Sequence, residues 1–161
     1  MAKKERKNQA SHGPKIVNKK AYHDYELVEK FEAGISLVGT EVKSLREGLG
    51  DLSGSYARII GGQCWLVGCK ISPYAQASFT NHEPLRNRKL LLHKSQIRKI
   101  TVKLEQRGFA LIPLRIYFNS RGLVKVELAI AAGKRQFDKR DQIQKREQKR
   151  ELDRTSKKYK K

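Results

Sequence analysis

The chain has 161 residues, and its 36 Lys or Arg against 16 Asp or Glu give a formal net charge of +20. That length predicts one domain with extensions, and the basic excess indicates a polyanionic partner, most commonly nucleic acid. No stretch approaches the length of a transmembrane span, and the N-terminal residues lack the apolar segment of a secretory signal. We therefore expect a soluble cytoplasmic protein with no membrane partner.

The charge is concentrated at the two ends of the chain. Residues 1–20 contain seven basic and one acidic residue, and residues 133–161 contain 13 basic and five acidic residues, which leaves 16 and 10 between them. The middle therefore has the composition of a globular domain of roughly 110 residues, which can bury its own core. The predicted organisation is a flexible basic arm over 1–17, a folded domain over 18–132 and a basic tail over 133–161.

Short strands are predicted in the first half of the domain. Residues 22–31, YHDYELVEKF, have strand-like alternation, and AGISLV continues the same antiparallel system. A short helix follows in GTEVKSLREG, with Thr40 as its N-cap and Gly48 after its end. Two apolar runs then flank Gly61-Gly62, which predicts a β-hairpin.

The second half contains a long polar loop, a helix and a final pair of strands. The loop covers residues 72–87, and the helix is predicted over 94–107, between a cap at Ser95 and a stop at Gly108. The strands FALIPLRIYFN and GLVKVELAIAA are joined at SRG. Because crossover helices are missing after most strands, the order favours a small antiparallel β-barrel, closed or nearly closed, over a parallel α/β fold.

The tail, GKRQFDKRDQIQKREQKRELDRTSKKYKK, is rich in helix formers but holds only four residues that could help build a core: Phe137, Ile143, Leu152 and Tyr159. A segment this charged cannot repay its ordering entropy by burial, so we expect it to be disordered when free. Acid–base pairs such as Asp141 with Lys145 support a helix by only about 0.2–0.5 kcal/mol each. Contact with phosphates would remove the like-charge repulsion, which predicts folding on binding RNA.

Cysteine and histidine usage predicts neither a disulfide nor a metal site. Cys64 and Cys69 flank WLVG in a predicted strand, and their odd spacing places them on opposite faces. Neither this spacing nor the four scattered histidines matches a zinc pattern. There are no paired carboxylates and no nucleophile motif. We therefore expect reduced thiols, no cofactor and no enzymatic activity, which disfavours an RNA-processing nuclease.

Four stretches, in this order and with these spacings, resemble the SsrA-binding protein family, also called small protein B. They are NKKAYHDYELVEKFEAGISLVGTEVKSLREG, SYARI, RKLLLHK and VKVELAIAAGKRQFDKRDQIQKR, and they run from about Asn18 to Arg150. The resemblance implies an OB-like β-barrel with two or three short helices and a basic C-terminal tail. It also implies a role in trans-translation, the rescue of ribosomes stalled on broken messages.

The resemblance implies three partners. The barrel would bind the tRNA-like domain of transfer-messenger RNA, and the tail would enter the small-subunit decoding centre and the empty mRNA channel of the ribosome, becoming helical there. Elongation factor Tu would join the delivery complex. Composition alone leaves open a non-specific OB-type RNA-binding or ribosomal structural protein. Such a protein would bind many RNAs with an affinity set mainly by salt, whereas the family predicts a large preference for one tRNA-like fold.

Three residues of the barrel are the leading RNA-binding candidates. Glu32 in FEAG matches a family position needed for RNA binding, and its carboxylate could accept hydrogen bonds from base edges or ribose hydroxyls. Leu91 in RKLLL also matches such a position, although a leucine there is most simply a core residue. Lys125 in the last strand is suited to a phosphate contact. The alternatives for Glu32 and Lys125 are a solvated strand end and an exposed strand face.

Basic residues nearby extend the predicted RNA-binding set. Asn18, Lys19 and Lys20 match the family's Asn-basic-basic entry to the barrel. The short helix and the end of the long loop add Lys43, Arg46, Arg86, Arg88 and Lys89. These could equally be solvated surface, but the total charge favours phosphate contact. In the loop, Tyr74 or His82 could stack on an unpaired base.

The tail carries the predicted ribosome-engaging residues. Matches to the family motif GK-x-x-x-DKR are Lys134, Arg135, Asp138, Lys139 and Arg140. The family usually has two lysines in place of Lys134-Arg135, a change that preserves phosphate attraction. Phe137 stands where the family often has Tyr or His, so it keeps a stacking face but lacks a hydrogen-bonding group. The predicted set is completed by Lys145, Arg146, Lys149 and Arg150.

Overall fold

The structure is a computed structural model that describes residues 13–77 and 80–134. Its strands are β1 (Ile16–Val17), β2 (Tyr25–Ile35), β3 (Gly50–Asp51), β4 (Tyr56–Ile60), β5 (Gln63–Val67), β6 (Lys70–Ile71), β7 (Arg88–Leu91), β8 (Phe109–Phe118) and β9 (Val124–Gly133). Its helices are α1 (Lys19–Asp24), α2 (Gly39–Arg46) and α3 (Lys94–Leu104). The first strand begins inside the stretch predicted to be a flexible arm.

Six strands form an antiparallel ring in the order β8, β4, β5, β7, β2, β9, and β9 pairs back onto β8. The ring has two thin seams, because β4 and β8 share one residue pair and β2 and β7 share two. Strand β1 pairs with β8, and β3 pairs with β6 in a separate small sheet. The prediction of a mainly antiparallel β fold is confirmed, in the form of a strand ring rather than an evenly closed barrel.

Side-chain alternation along the strands produces two apolar clusters. The main core fills the ring with residues such as Phe31 and Ala33 of β2 and Val126 and Leu128 of β9. On the opposite face of β8 and β9, a smaller cluster forms around Ala21 of α1, with Ile112, Leu114, Ala129 and Ala131. Helix α1 therefore covers one part of the outer face and leaves the rest of that face to the polar residues described below.

The strand predicted over residues 22–31 is wrong at its start, because residues 22–24 belong to α1. Asn18 is the N-cap: its side-chain oxygen accepts from the Ala21 N–H at 3.1 Å. Its amide nitrogen donates to the carbonyls of Leu52 and Pro113 at 3.2 and 3.1 Å. A six-residue helix is unstable alone, so this tertiary anchoring decides the local structure.

Other local predictions are confirmed with small shifts. Gly61 and Gly62 connect β4 to β5 with φ of 55° and 70°, values that favour glycine and suit a two-residue hairpin turn. The two predicted helices are present, but their N-caps are Val38 and His93 rather than Thr40 and Ser95. In the described parts of the loop over 72–87, neither a helix nor a strand occurs.

The two cysteines are free and fully buried. Burial raises the pKa of the Cys64 and Cys69 thiols to about 11, so the reactive thiolate is scarce at neutral pH. We expect the folded protein to react with a thiol reagent such as DTNB far more slowly than the denatured protein at the same pH. Rapid labelling of both thiols in the native state would contradict this burial.

Candidate nucleic-acid interface

A groove on the outer face of the ring brings together four residues that the sequence selected. It has a volume of about 690 Å³, and its lining includes Glu32, Lys89, Leu91 and Lys125. Gly34 of β2 is paired with Leu91 of β7 on one side and with Lys125 of β9 on the other. Strand pairing therefore places side chains from distant parts of the sequence in one surface feature.

Glu32 is oriented by two partners at the edge of this groove. The Tyr117 hydroxyl donates a hydrogen bond to Glu32 Oε2, and Lys125 Nζ lies 3.6 Å from Glu32 Oε1. The Glu32 side chain is still 57% exposed. A carboxylate accepts several hydrogen bonds, so Glu32 keeps acceptor capacity for a ligand.

Tyr117 is fixed as a neutral hydrogen-bond donor. Its burial raises its pKa to about 12, together with the hydrogen bond to Glu32 and the negative charge of that carboxylate. The hydroxyl therefore stays protonated at physiological pH and holds the Glu32 carboxylate in place.

A second carboxylate extends the network across the same face. Glu127 of β9 accepts a hydrogen bond from Arg115 Nε of β8, and Lys30 Nζ of β2 lies 3.7 Å from it. The Arg115 guanidinium lies 5.1 Å from the centre of the Tyr117 ring. We call Lys30, Glu32, Arg115, Tyr117, Lys125 and Glu127 the charged lattice. Its three cations and two carboxylates leave one excess positive charge.

Sequence reasoning missed most of this lattice. An aromatic residue in a strand is more often a core residue, but here Phe118 takes the buried position and Tyr117 faces outward. The alternation in the segment LRIYF carries that signal. Arg115 and Glu127 face each other across β8 and β9, a pairing that depends on a register shift between Pro113 and Arg115 and is not visible in local sequence.

Arg88 lies inside the protein, which separates it from the predicted RNA-binding set. Its side chain is fully buried, and its Nε donates to Glu41 Oε1 at 2.8 Å. Its other nitrogens donate to the carbonyls of Cys69, Pro84 and Arg86 at 2.6 to 3.1 Å. Arg86 also binds the Glu41 carboxylate, at 2.7 and 2.5 Å. We call Glu41, Arg86 and Arg88 the buried ion cluster, and we assign Arg88 to the fold rather than to the interface.

The remaining candidates of the domain divide by exposure. Asn18 is buried as the cap of α1, whereas Lys19 and Lys20 on α1 and Lys43 and Arg46 on α2 are exposed and lie outside the groove lining. The interpretation of Leu91 as a core residue is wrong, because 53% of it is exposed.

The two stacking candidates of the long loop, His82 and Tyr74, differ in how far they are exposed. His82 is buried, with its ring nitrogens 2.9 Å from the Thr40 hydroxyl and 3.1 Å from the Ile71 carbonyl. It therefore offers no free ring face to a base. Tyr74 is half-buried and lies under Lys43, whose Nζ is 5.3 Å from the ring centre.

Lys134, the second residue of the predicted tail, is held against α1. The Lys134 N–H donates to the Asp24 carbonyl at 3.0 Å, and Lys134 Nζ donates to the Tyr22 carbonyl at 3.1 Å. The other predicted ribosome-engaging residues lie outside the described residues: Arg135, Phe137, Asp138, Lys139, Arg140, Lys145, Arg146, Lys149 and Arg150.

Two general searches concern the described residues only. Within 13–77 and 80–134, no helix is both long and apolar enough to cross a membrane. In that same part of the chain, no group of three or more His, Cys, Asp or Glu residues could hold a metal ion.

Comparison with known proteins agrees with the sequence resemblance. A family model described as SmpB protein matches residues 15–158. The SsrA-binding protein of Syntrophobacter fumaroxidans is 61% identical over 140 residues, which cover 87% of this chain and 86% of the relative. That of Symbiobacterium thermophilum is 56% identical over 139 residues, covering 86% and 88%. A solved structure described as "tmRNA-SmpB: a journey to the center of the bacterial ribosome" is 48% identical, with a TM-score of 0.66 over 81% of this chain and 95% of that one. These matches confirm the predicted family: the chain belongs to the SmpB family of SsrA-binding proteins.

Proposed function

We propose that this protein binds the tRNA-like domain of transfer-messenger RNA and delivers it to stalled ribosomes for trans-translation. The observation that carries the proposal is the groove, which places Glu32, Lys89, Leu91 and Lys125 together next to the charged lattice. The similar solved structure names transfer-messenger RNA and the bacterial ribosome in its description, which supports both partners.

The groove offers each type of contact that structured RNA needs. Lys89 and Lys125 attract phosphates, which position the RNA without reading its sequence. Glu32, oriented by Tyr117, accepts hydrogen bonds from exocyclic amines or ribose 2′-hydroxyls. Leu91 adds an exposed apolar contact beside these polar groups. Exposed cations on α1 and α2 extend the phosphate-binding area: Lys19, Lys20, Lys43 and Arg46.

The tail has a separate role in this proposal. Residues 135–161 contain 12 basic and five acidic residues, a composition suited to a path lined with ribosomal RNA. Lys134, Arg135 and the DKR motif at 138–140 engage the decoding centre, and the rest follows the empty mRNA channel as a helix. The protein acts with elongation factor Tu in the delivery complex and performs no chemistry itself.

The alternative is a non-specific OB-type RNA-binding protein, which the high charge at the chain ends would also suit. The test is binding of purified protein to the tRNA-like domain and to a same-length control RNA across a salt series. We expect a preference of several hundredfold that persists as salt rises. Equal and steeply salt-dependent binding to both RNAs would refute the proposed function and leave the alternative.

Lys125→Ala tests the phosphate contact directly. We expect a modest loss of affinity for the tRNA-like domain and a salt slope lower by about one, because one fewer counterion is released. The matched control is Lys70→Ala, since Lys70 is exposed on β6 and does not line the groove. A salt slope equal to that of the wild type in Lys125→Ala would argue against a phosphate contact at this position.

A further inference from the structure

A second concavity, next to the groove, is apolar. It has a volume of about 430 Å³ and is formed where β2 and β7 end, beside α2 and the turn between β8 and β9. We call it the leucine pocket, after Leu37, Leu91 and Leu123 in its lining. We propose that the leucine pocket receives one unpaired nucleobase of the bound RNA. This inference rests on the proposed function.

The pocket exposes apolar surface that the fold does not need to expose. Leu91 and Leu123 are 53% and 57% exposed, and they border the cavity. Its other walls, including Leu37, Val42 and Val124, are partly buried against the main core. Apolar side chains that line one concavity beside a few polar groups are typical of ligand sites.

Local geometry fixes the shape of the pocket. The Asn119 side-chain oxygen accepts from the N–H groups of Arg121 and Leu123 at 3.0 and 2.9 Å, which holds Leu123 on a defined turn. On the other side, a Cβ added at Gly34 would lie 3.2 Å from the Leu91 Cβ. The absence of a side chain at Gly34 therefore lets Leu91 lie against β2 and keeps the pocket continuous with the groove.

The charges around the pocket select its occupant. Gly34, Leu91 and Lys125 line both the pocket and the groove, so one ligand can occupy the two together. The cation that lines both cavities is Lys125, and Lys89 adds a second one in the groove. The nearby carboxylates, Glu32 and Glu41, are already paired with cations. A flat heterocycle next to a phosphate matches apolar walls with a lysine at their edge, because the aliphatic side chains can cover the base while Lys125 faces the phosphate.

Leu123→Ala tests the pocket, with Val102→Ala on α3 as a control of similar exposure, 59% against 57%. We expect Leu123→Ala to weaken binding to the tRNA-like domain about tenfold at every salt concentration, because it removes most of an exposed apolar side chain that the bound base would cover. The salt slope should stay unchanged, since an apolar contact releases no counterions. Val102→Ala should bind as the wild type does. Denaturant unfolding of both variants checks that each is folded.

A fluorescent base identifies the occupant. With 2-aminopurine placed singly at unpaired positions of the RNA, one position should change its emission on binding, and Leu123→Ala should abolish that change. If folded Leu123→Ala bound the RNA with wild-type affinity and still gave the emission change, the leucine pocket would not be the site of the base. That result would leave the preference for the tRNA-like domain, and thus the proposed function, intact. Normal RNA binding with weaker ribosome binding would also overturn the base assignment, assigning the pocket to a protein or ribosomal partner. Loss of the preference in the wild type would overturn the proposed function itself.

Discussion

A chain that ends after Lys134 should bind transfer-messenger RNA nearly as tightly as the full-length protein and should fail to support peptide tagging. The proposed interface residues lie between Lys19 and Lys125, and the two hydrogen bonds from Lys134 to α1 are retained in this variant. The deletion removes 12 basic and five acidic residues, so it lowers the net charge by seven. Long-range attraction therefore decreases, but salt screens that contribution at physiological ionic strength.

The measurement pairs RNA affinity at physiological salt with tagging in a reconstituted translation system stalled on a truncated message. The matched control carries residues 135–161 in scrambled order, which preserves length and charge. We expect the scrambled chain to bind RNA normally and to be as defective in tagging as the truncated chain. If truncation reduced RNA capture and tagging by the same factor, the division of roles between domain and tail would be wrong. Full tagging by the scrambled chain would mean that charge alone suffices.

Glu41→Ala should lower the free energy of unfolding by about 3–5 kcal/mol, a large part of the total for a small domain. The substitution leaves the fully buried Arg88 guanidinium without its counter-charge. It also removes the carboxylate that Arg86 binds, which ties the end of the long loop to α2. Denaturant unfolding followed by circular dichroism measures the effect.

The matched control is the double variant Glu41→Ala, Arg88→Met. Removing both buried charges should recover a substantial part of the lost stability, because an uncompensated buried charge costs more than an apolar replacement. Lys43→Ala, an exposed change on the same helix, should change stability little. A Glu41→Ala protein as stable as the wild type would contradict the assignment of this cluster to the fold.

The buried ion cluster also predicts a dependence of stability on pH. Burial raises the pKa of Glu41, but hydrogen bonds from Arg86 and the Val38 N–H and the charge of Arg88 outweigh it, so the pKa is lowered from the ordinary value of 4.5. The folded protein therefore holds this proton less tightly than the unfolded chain. Its stabilising contribution is complete above about pH 4.5 and is lost as the pH falls through the folded pKa. The stability gap between wild type and Glu41→Gln should narrow on acidification, and a constant gap would argue against this linkage.

Sequence could predict those features that depend on neighbouring residues. Gly61-Gly62 predicted the hairpin, because a two-residue turn needs positive φ at these positions and glycine adopts positive φ without strain. Local patterns could not reveal α1, whose six residues are stabilised by Asn18 contacts to Leu52 and Pro113. Nor could they separate Arg88 from Lys89, since the partner that buries Arg88 lies 47 residues away.

The site shows the same limit. Family resemblance selected Glu32, Leu91 and Lys125, and the structure places all three in one groove. Composition and periodicity alone left each of them with an ordinary surface or core alternative. Tyr117 holds Glu32 but was not selected from the sequence. Only its alternation with the buried Phe118 indicates that a strand aromatic here faces outward rather than into the core.

The hydrogen bonds from Lys134 to α1 fix the point at which the tail leaves the domain. The length of the tail therefore sets how far from the domain each tail residue can reach. The 27 residues from 135 to 161 span about 40 Å as a helix and about 90 Å when fully extended. The distance from the anchor at Lys134 to residue 161 is therefore bounded by the conformation of the segment between them. In a helical tail, each residue inserted directly after Lys134 would move all later tail residues outward by about 1.5 Å and rotate them about the helix axis by about 100°. The RNA-binding groove would not change.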